Sequence, residues 1–365
     1  MGTGDDTVAL IADVGAIGSL SLSTFDGGAG TDTLSFQNLS DTGLSLSLNT
    51  AGATNFENII GTRQADTITG DANANTLDGD SGNDTISGLG GNDVIFGDQG
   101  LSEGTSTSND TITGGAGNDT ISGGIGNDSI DGGTGADTIT SGSGSDTIII
   151  RAGDGGSTIA GADTITDFTD GTDLIGLDGI ASTDLTIAQG TGSNANDTII
   201  SLTSSGEFLA VLNNVTASSI TALDLTSTST DAQTLTGTSG NDILVGGAGA
   251  ETISGLGGSD TIQAAAGDDT INVSGKSGAF TDRIDGGTGT DTLNISFSGV
   301  ASLGDFTSIS LDNGTLGNAS FAGLFSLVDA NGGTIQFSNI ENLSVGSFAY
   351  TRLENNNAST PLPSN

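Results

Sequence analysis

The chain has 365 residues, including 62 glycines, and its 45 acidic side chains outnumber the 5 basic ones to give a formal net charge of −40. A chain this acidic is not expected to bind nucleic acid or an anionic membrane surface, because both interactions depend on lysine and arginine. Cysteine and histidine are absent, which excludes disulfides, thiolate or imidazole metal sites, and catalysis by a cysteine or a serine–histidine pair.

The first predicted module is residues 1–60. It begins MGTGDDTVALIADVGAIG, with two early aspartates and no basic residue, so we expect no Sec signal peptide. GGAGTDTLSF at 27–36 and NFENIIG at 55–61 have counterparts near the end of the chain, and we expect a solenoid-like β module here. No apolar run in the chain approaches the ~18 residues of a transmembrane helix, so no transmembrane segment is expected.

The next segment, residues 61–177, is an array with a nine-residue period. Each repeat has a glycine-rich loop, then an acidic position, which we call the slot, and a large apolar residue two positions later. Slots are nine residues apart except at two steps of seventeen, where extra residues fall in loops such as LSEGTSTS at 101–108. The slot residues of this array are Asp66, Asn75, Asp84, Asp93, Asp110, Asp119, Asp128, Asp137, Asp146 and Asp163.

The residues after each slot predict a very short strand. Thr and Ile are β-branched and suit extended backbone, and successive side chains of a strand point to opposite sides. The apolar residue two positions after the slot is therefore predicted to point inward and to stack on its equivalents. This inward ladder comprises Ile68, Leu77, Ile86, Ile95, Ile112, Ile121, Ile130, Ile139 and Ile148.

The loops between these strands have the composition of a calcium site. Glycine permits sharp turns that direct backbone carbonyls inward beside the slot carboxylate, and Ca²⁺ takes about six to eight oxygen ligands. One loop has too few oxygens, so we expect two repeats to form one coil and each ion to lie between loops n and n+2. The ion would also neutralise carboxylates that lie one strand spacing apart. Without calcium, we expect the arrays to be expanded and largely unfolded.

A second array follows a predicted cap. ADTITDFTDGTDLIGL at 162–177 looks like the end of the first roll, and residues 178–233 are predicted to be a β-rich cap or linker. Residues 234–294 are predicted to form the second roll, residues 295–350 a C-terminal β module, and residues 351–365 a flexible tail. The second array has slots at Asp242, Glu251, Asp260, Asp269, Asp282 and Asp291, all nine residues apart except for a step of thirteen before Asp282.

These repeats resemble a known family. GGAGNDTIS (114–122), GGIGNDSID (123–131) and GGTGADTIT (132–140) resemble the RTX nonapeptide GGxGxDxUx, in which U is a large apolar residue. The resemblance implies an all-β fold, a right-handed parallel β-roll or β-solenoid with Ca²⁺ in its turns. It also implies export by a type I system of a Gram-negative bacterium.

The predicted cofactor is therefore Ca²⁺ at multiple sites. Glu251 stands where the pattern has Asp, so we expect a weaker or empty site there. The predicted calcium ligands are Asp32, Asp66, Asp84, Asp93, Asp110, Asp119, Asp128, Asp137, Asp146, Asp163, Asp242, Asp260, Asp269, Asp282 and Asp291, together with Gly115, Gly117, Gly124, Gly126, Gly133 and Gly135.

The ends of the chain lack an obvious polar cap, which leaves three interpretations. The N-terminal edge of one subunit could stack on the C-terminal module of another, which would propagate into a filament or layer. Alternatively, the sequence could be a module of a longer chain. In the third interpretation, irregular strands at 10–25 and 300–335 close the ends.

These observations predict a secreted, non-catalytic calcium-binding structural protein. We expect it to fold on binding Ca²⁺ and to self-assemble into an extracellular surface layer or filament on the bacterial cell surface. The expected partners are further copies of the chain, as a homo-polymer, and a cell-surface polysaccharide. The alternatives are a non-catalytic RTX module of a larger secreted enzyme or adhesin, and a calcium-dependent enzyme acting on polysaccharide.

Overall fold

A computed structural model describes residues 3–9, 25–37, 43–48, 53–99, 108–312 and 324–350. The chain forms two compact units. The first comprises Met1–Gly176 and Thr186–Ile220, and the second comprises Leu177–Leu185 and Thr221–Asn365. Of the strands predicted at 10–25 and 300–335, residues 10–24 and 313–323 lie outside the described residues, as do residues 101–107 of the insertion and the predicted tail at 351–365.

The first unit is built from very short strands, as the repeat pattern predicts. In chain order up to the end of this unit, the strands are β1 (Thr7–Ala9), β2 (Phe25–Asp26), β3 (Thr33–Ser35), β4 (Ser45–Ser47), β5 (Ala53–Thr54), β6 (Asn58–Ile60), β7 (Thr67–Thr69), β8 (Thr76–Asp78), β9 (Thr85–Gly90), β10 (Val94–Phe96), β11 (Thr111–Ala116), β12 (Thr120–Ile125), β13 (Ser129–Thr134), β14 (Thr138–Ser143), β15 (Thr147–Arg151), β16 (Asp163–Ile165), β17 (Leu174–Asp178), β18 (Leu185–Gln189), β19 (Thr198–Leu202) and β20 (Phe208–Leu212).

Strands of the array pair in parallel with the strand two repeats away. Ile112 of β11 lies opposite Ile130 of β13, and Ile121 of β12 lies opposite Ile139 of β14. One sheet runs β4-β7-β9-β11-β13-β15, and the other runs β1-β3-β6-β8-β10-β12-β14-β16. Two repeats therefore make one coil of a parallel β-solenoid, which confirms the predicted stacking of repeats n and n+2.

The interior of the solenoid is the predicted apolar ladder. All nine predicted ladder residues, from Ile68 to Ile148, are at most 1% exposed. The threonines one position earlier, such as Thr111 and Thr120, are exposed, as the alternation along a strand requires. Burial of each such Ile or Leu side chain contributes about 1.5–3 kcal/mol relative to an exposed one, so the ladder is the main apolar source of stability.

Antiparallel strands end the parallel stack of the first unit. β20 pairs in parallel with β16 and antiparallel with β19, and β18 lies at the edge of this sheet. Residues of the pair, including Ile200 and Leu212, are fully buried. This arrangement replaces the repeated coil by a hairpin, so the segment 186–220 covers the last coil of the first unit.

The second unit repeats the same plan. Its further strands are β21 (Leu225–Ser227), β22 (Thr234–Thr236), β23 (Ile243–Val245), β24 (Thr252–Ser254), β25 (Thr261–Gln263), β26 (Thr270–Ser274), β27 (Thr281–Asp285), β28 (Thr292–Ser296), β29 (Phe306–Asp312), β30 (Leu324–Asp329), β31 (Thr334–Ser338), β32 (Asn342–Val345) and β33 (Phe348–Tyr350). Short 3₁₀ turns occur at Ile159–Gly161, Ser182–Asp184, Gly192–Asn194, Ala222–Asp224 and Leu303–Asp305.

Two sheets enclose the core of the second unit, in the orders β22-β24-β26-β28-β32-β33 and β23-β25-β27-β31-β30-β29. Parallel pairing gives way to antiparallel pairing at β32–β33 and at β31–β30–β29. The rings of Phe325 and Phe337 stack at 5.2 Å between centroids in this terminal part. Among the described residues, no helix is long and apolar enough to cross a membrane.

Candidate metal centre

Slot carboxylates connect each coil to the next. Asp119 Oδ1 accepts a hydrogen bond from the backbone N–H of Asp93 at 2.7 Å, and Asp137 Oδ1 accepts one from Asp119 N–H at 2.7 Å. The same bond recurs along the first unit at Asp84, Asp93, Asp110, Asp128, Asp146 and Asp163. In the second unit it recurs at Asp260, Asp269, Asp282 and Asp291. One carboxylate oxygen per slot is thus committed to holding adjacent coils in register.

The other oxygen of most slot carboxylates is buried without a hydrogen-bond partner. An unsatisfied buried carboxylate oxygen is costly, so a full column of them calls for a cation. These unpartnered atoms are Oδ2 of Asp32, Asp84, Asp93, Asp110, Asp119, Asp128, Asp137, Asp146, Asp269, Asp282 and Asp291, and both Oε atoms of Glu251.

Backbone carbonyls lie beside these unpartnered oxygens. A Cβ atom added to Gly114, the first residue of its repeat, would lie 2.5 Å from Asp119 Oδ2 and 2.5 Å from the carbonyl oxygen of Gly132 on the next coil. A Cβ atom added to Gly123 would likewise lie 2.5 Å from Asp128 Oδ2 and would overlap the carbonyl oxygen of Ser141 on the next coil. Only glycine leaves this space beside converging oxygens, and such hard oxygen donors are the ligands that Ca²⁺ prefers.

The donor set differs from an all-carboxylate site. Among the described residues, no three acidic side chains gather where they could hold one metal ion. Calcium in these turns would therefore take most of its oxygens from the backbone, with slot aspartates supplying the charge. The six predicted glycine donors all have positive φ, between 89° and 142°, and their role as ligands stays a prediction.

Most predicted slot residues lie in the carboxylate column, with variations at its ends. Asp32 Oδ1 accepts from Asp6 N–H at 2.7 Å, and Asp66 Oδ1 accepts from Leu44 N–H at 2.6 Å. Asp242 instead accepts from the Thr238 N–H of its own loop at 2.7 Å. It begins the second array, so no earlier slot residue donates to it.

The structure adds slot members that the period does not reveal. Glu57 Oε2 accepts from Asp32 N–H, and Glu341 Oε2 accepts from Asp291 N–H, each at 2.7 Å. Asp173 Oδ1 accepts from Asp146 N–H at 3.1 Å. All three stand two residues before a buried Ile or Leu, so the spacing from acid to apolar residue is the signal that identifies them.

A second series of hydrogen bonds between coils explains the asparagine that often precedes the slot. Asn109 Oδ1 accepts from Asn127 N–H at 2.7 Å, and Asn127 Oδ1 accepts from Ser145 N–H at 2.8 Å. These bonds run from a later coil to an earlier one, opposite in direction to the aspartate bonds. The Asn–Asp pair therefore fixes the spacing of successive turns from both sides.

Burial perturbs the slot carboxylates strongly. Loss of solvation raises the pKa of Asp110 to about 8 and the pKa values of Asp84 and Asp128 to about 7, with neighbouring carboxylates adding to the rise. The same cause raises the pKa of Asp137 to about 6. Without a metal ion, these four carboxylates thus stay protonated well above the usual pH range of aspartate, and a divalent cation would displace their protons.

The RTX calcium-binding nonapeptide repeat model matches residues 52–86, 69–100, 105–130, 113–148, 123–156, 227–262, 245–275 and 277–294. Both arrays of the chain are therefore RTX calcium-binding nonapeptide repeats. Apart from Asp32, every slot residue with an unpartnered oxygen lies within the matched segments. The comparison with curated proteins finds no match.

The RTX repeats are also similar to a solved structure, the AlgE6R3 subunit of the Azotobacter vinelandii mannuronan C5-epimerase. The sequences are 25% identical, the match covers 32% of this chain and 72% of that chain, and the TM-score is 0.25.

Asp128→Asn should have opposite effects with and without calcium. Asparagine keeps the Oδ1 acceptor for Asp110 N–H but removes one buried charge, and Asn75 shows that a slot accommodates it. With calcium, we expect one ion fewer and a lower melting temperature. Without calcium at neutral pH, we expect the variant to retain more β-sheet structure than the unaltered protein, because like-charge repulsion falls. Calorimetry with calcium and circular dichroism without it measure the two effects, with the exposed Asp170→Asn as control; destabilisation in both conditions would contradict a metal role.

Proposed function

We propose that the chain is a non-catalytic structural protein that folds when it meets extracellular calcium. The observation that carries the proposal is the column of buried, unpartnered slot oxygens, present in most repeats beside backbone carbonyls. Buried carboxylates are tolerated only when protons or a cation neutralise their charge, and above about pH 8 the protons are lost. A repeat protein whose coils are joined through charged side chains depends on its cation for folding.

The size of the calcium effect follows from linkage. Each ion that binds only the folded state stabilises it by about 2.7 kcal/mol when its concentration is one hundred times Kd. Several sites in one cooperative stack add such contributions, so folding should be steep in calcium. Extracellular modules bind Ca²⁺ with Kd of about 10⁻⁴–10⁻³ M, and on this scale the chain would stay unfolded inside a cell and fold after export by a type I system.

We also propose that the folded protein assembles through its coils into a filament or surface layer, with polysaccharide as a further partner. Support comes from the N-terminal strands β1 and β4, which are the outermost strands of their sheets among the described residues. A sheet edge of this kind can pair with another chain. Calcium would be required for assembly, since it orders the coils that carry the edge.

The second candidate is a module of a larger secreted enzyme or adhesin. It is favoured by the antiparallel pairs β19–β20, β29–β30 and β32–β33, which replace parallel coils at the far end of each unit. Such hairpins blunt an edge that end-to-end stacking would need. This candidate gives a calcium-folded monomer.

Light scattering after size-exclusion chromatography, with electron microscopy of the same fractions, tests the assembly. In millimolar calcium we expect particles that grow with protein concentration, and in chelator an expanded monomer. A compact monomer in calcium at every concentration would refute assembly and favour the module. Identical elution volumes with calcium and with chelator would refute calcium-dependent folding itself.

A further inference from the structure

One slot pair of the second unit already holds a cation. The step between Asp269 and Asp282 is thirteen residues instead of nine, and the enlarged loop between β26 and β27 carries Lys276, the only lysine of the chain. The Lys276 side chain is 1% exposed. Its Nζ lies 2.5 Å from Asp260 Oδ2, 2.9 Å from Asp282 Oδ1 and 3.1 Å from the Gly258 carbonyl oxygen.

These three oxygens satisfy the ammonium group completely. A lysine has three N–H donors, and each finds one acceptor within hydrogen-bond distance. The Nζ atom also lies 5.2 Å from the ring centroid of Phe280, which is 6% exposed. The charge is therefore surrounded by carboxylates, a carbonyl and an aromatic face.

The ammonium occupies the place that other coils leave to a metal ion. Gly258 is the fourth residue of its repeat, as Gly117, Gly126 and Gly135 are of theirs, and Asp260 is its slot residue. The second oxygen of Asp260 is hydrogen-bonded to Lys276, whereas the equivalent oxygens of Asp269 and Asp291 on the neighbouring slots have no partner. Asp260 and Asp282 belong to consecutive coils, joined by Asp260 N–H to Asp282 Oδ1 at 2.9 Å.

We propose that the Lys276 ammonium group takes the place of calcium between Asp260 and Asp282. This turn would then bind no metal ion, and the ammonium group would connect the two coils instead. The proposal rests on the calcium-binding function proposed above. Since each coil of a solenoid is stabilised by its neighbours, a turn that needs no ion gives the second unit a fixed point from which calcium-dependent folding spreads. The ligand prediction for Asp260 is thereby revised from calcium to ammonium, whereas Asp282 gives only Oδ1 to the lysine, and its unpartnered Oδ2 stays a predicted calcium ligand toward the next coil.

Amine labelling of the unaltered protein tests whether the ammonium keeps its place. In saturating calcium, an acetylating reagent should modify the Met1 amino group, which serves as internal control, and should leave Lys276 unmodified by mass spectrometry. If calcium took this site, it would expel the ammonium. Labelling of Lys276 at the rate of Met1 in folded, calcium-loaded protein would therefore overturn the proposal.

Counting ions in a variant gives the second test. Lys276→Ala vacates the oxygens, so we expect native mass spectrometry to find one more Ca²⁺ per chain than in the unaltered protein. We expect its folding midpoint to move to a several-fold higher calcium concentration. Tyr350, the only tyrosine in a chain without tryptophan, is buried in the second unit and reports this midpoint by fluorescence. Arg283→Gln, on the exposed face of the neighbouring strand, is the matched control.

The outcomes separate this proposal from the calcium function. An unchanged ion count and an unchanged midpoint in Lys276→Ala would overturn the substitution while leaving calcium binding by the other turns intact. Absence of any bound calcium in the unaltered protein would refute the proposed function instead. If Lys276→Ala does not fold even in saturating calcium, the labelling result on the unaltered protein decides.

Discussion

In calcium-free buffer at about pH 8 the protein should lose most of its β-sheet circular dichroism, and lowering the pH to about 5 should restore part of it. Burial raises the pKa values of Asp84 and Asp128 to about 7 and that of Asp110 to about 8 in the folded chain. An unfolded aspartate titrates near pH ~3.9. The folded state therefore binds more protons, and its stability falls as the pH rises from about 4 to about 8.

Calcium should remove this pH dependence, because it neutralises the same carboxylates that protons neutralise in its absence. Magnesium at equal concentration is the matched control. It requires strict octahedral geometry and loses its water reluctantly, so we expect carbonyl-rich turns to bind it poorly. Restoration by magnesium as complete as that by calcium would indicate simple charge screening. Stability that rises with pH in calcium-free buffer would contradict the structural placement of the slot carboxylates.

Substitution of a turn glycine is the second change for which we expect a large loss of stability. Gly117 has φ of +141°, and an added Cβ would overlap the carbonyl oxygen of Gly91 on the preceding coil. The Cα that would carry the new atom and the Gly91 oxygen both belong to backbone that hydrogen bonds between coils hold in place. Neither can move aside at a small cost in free energy. We expect Gly117→Ala to destabilise the calcium-loaded protein by at least about 3 kcal/mol, measured by denaturant unfolding in saturating calcium.

Two other glycines separate the causes of this loss. Gly206 also has positive φ, +72°, but an added Cβ would meet nothing within 4 Å, so Gly206→Ala should cost about 1–2 kcal/mol for backbone conformation alone. Gly90 has its nearest neighbour at 3.7 Å and no such φ, so Gly90→Ala should be nearly neutral. A Gly117→Ala effect no larger than that of Gly206→Ala would show that the turn can shift to accommodate the added methyl group.

Much of the fold follows from one spacing in the sequence. A carboxylate followed two residues later by Ile or Leu, repeated every nine residues, was sufficient to predict the buried ladder and the pairing of repeats n and n+2. These features are local and periodic, so each repeat carries its own structural information. The hydroxyl residues between them point outward, as the strand alternation requires.

The parts that the spacing did not predict depend on contacts distant in sequence. Glu57 and Glu341 join the carboxylate column across intervals of 25 and 50 residues, which have no periodic signal. Lys276 lies in a loop insertion of the array, and its burial against Asp260 and Asp282 is visible only in the structure. The role of asparagine before the slot also required the structure, because its hydrogen bonds connect residues of different coils.

The central claim is that cations bound between coils hold the repeats together. Equilibrium dialysis against increasing calcium, with circular dichroism read on the same samples, tests it most directly. We predict that uptake of on the order of ten ions per chain and the gain of β-sheet signal occur over one narrow range of calcium concentration. Full β-sheet signal in a sample that has taken up no calcium, at neutral pH, would contradict the claim.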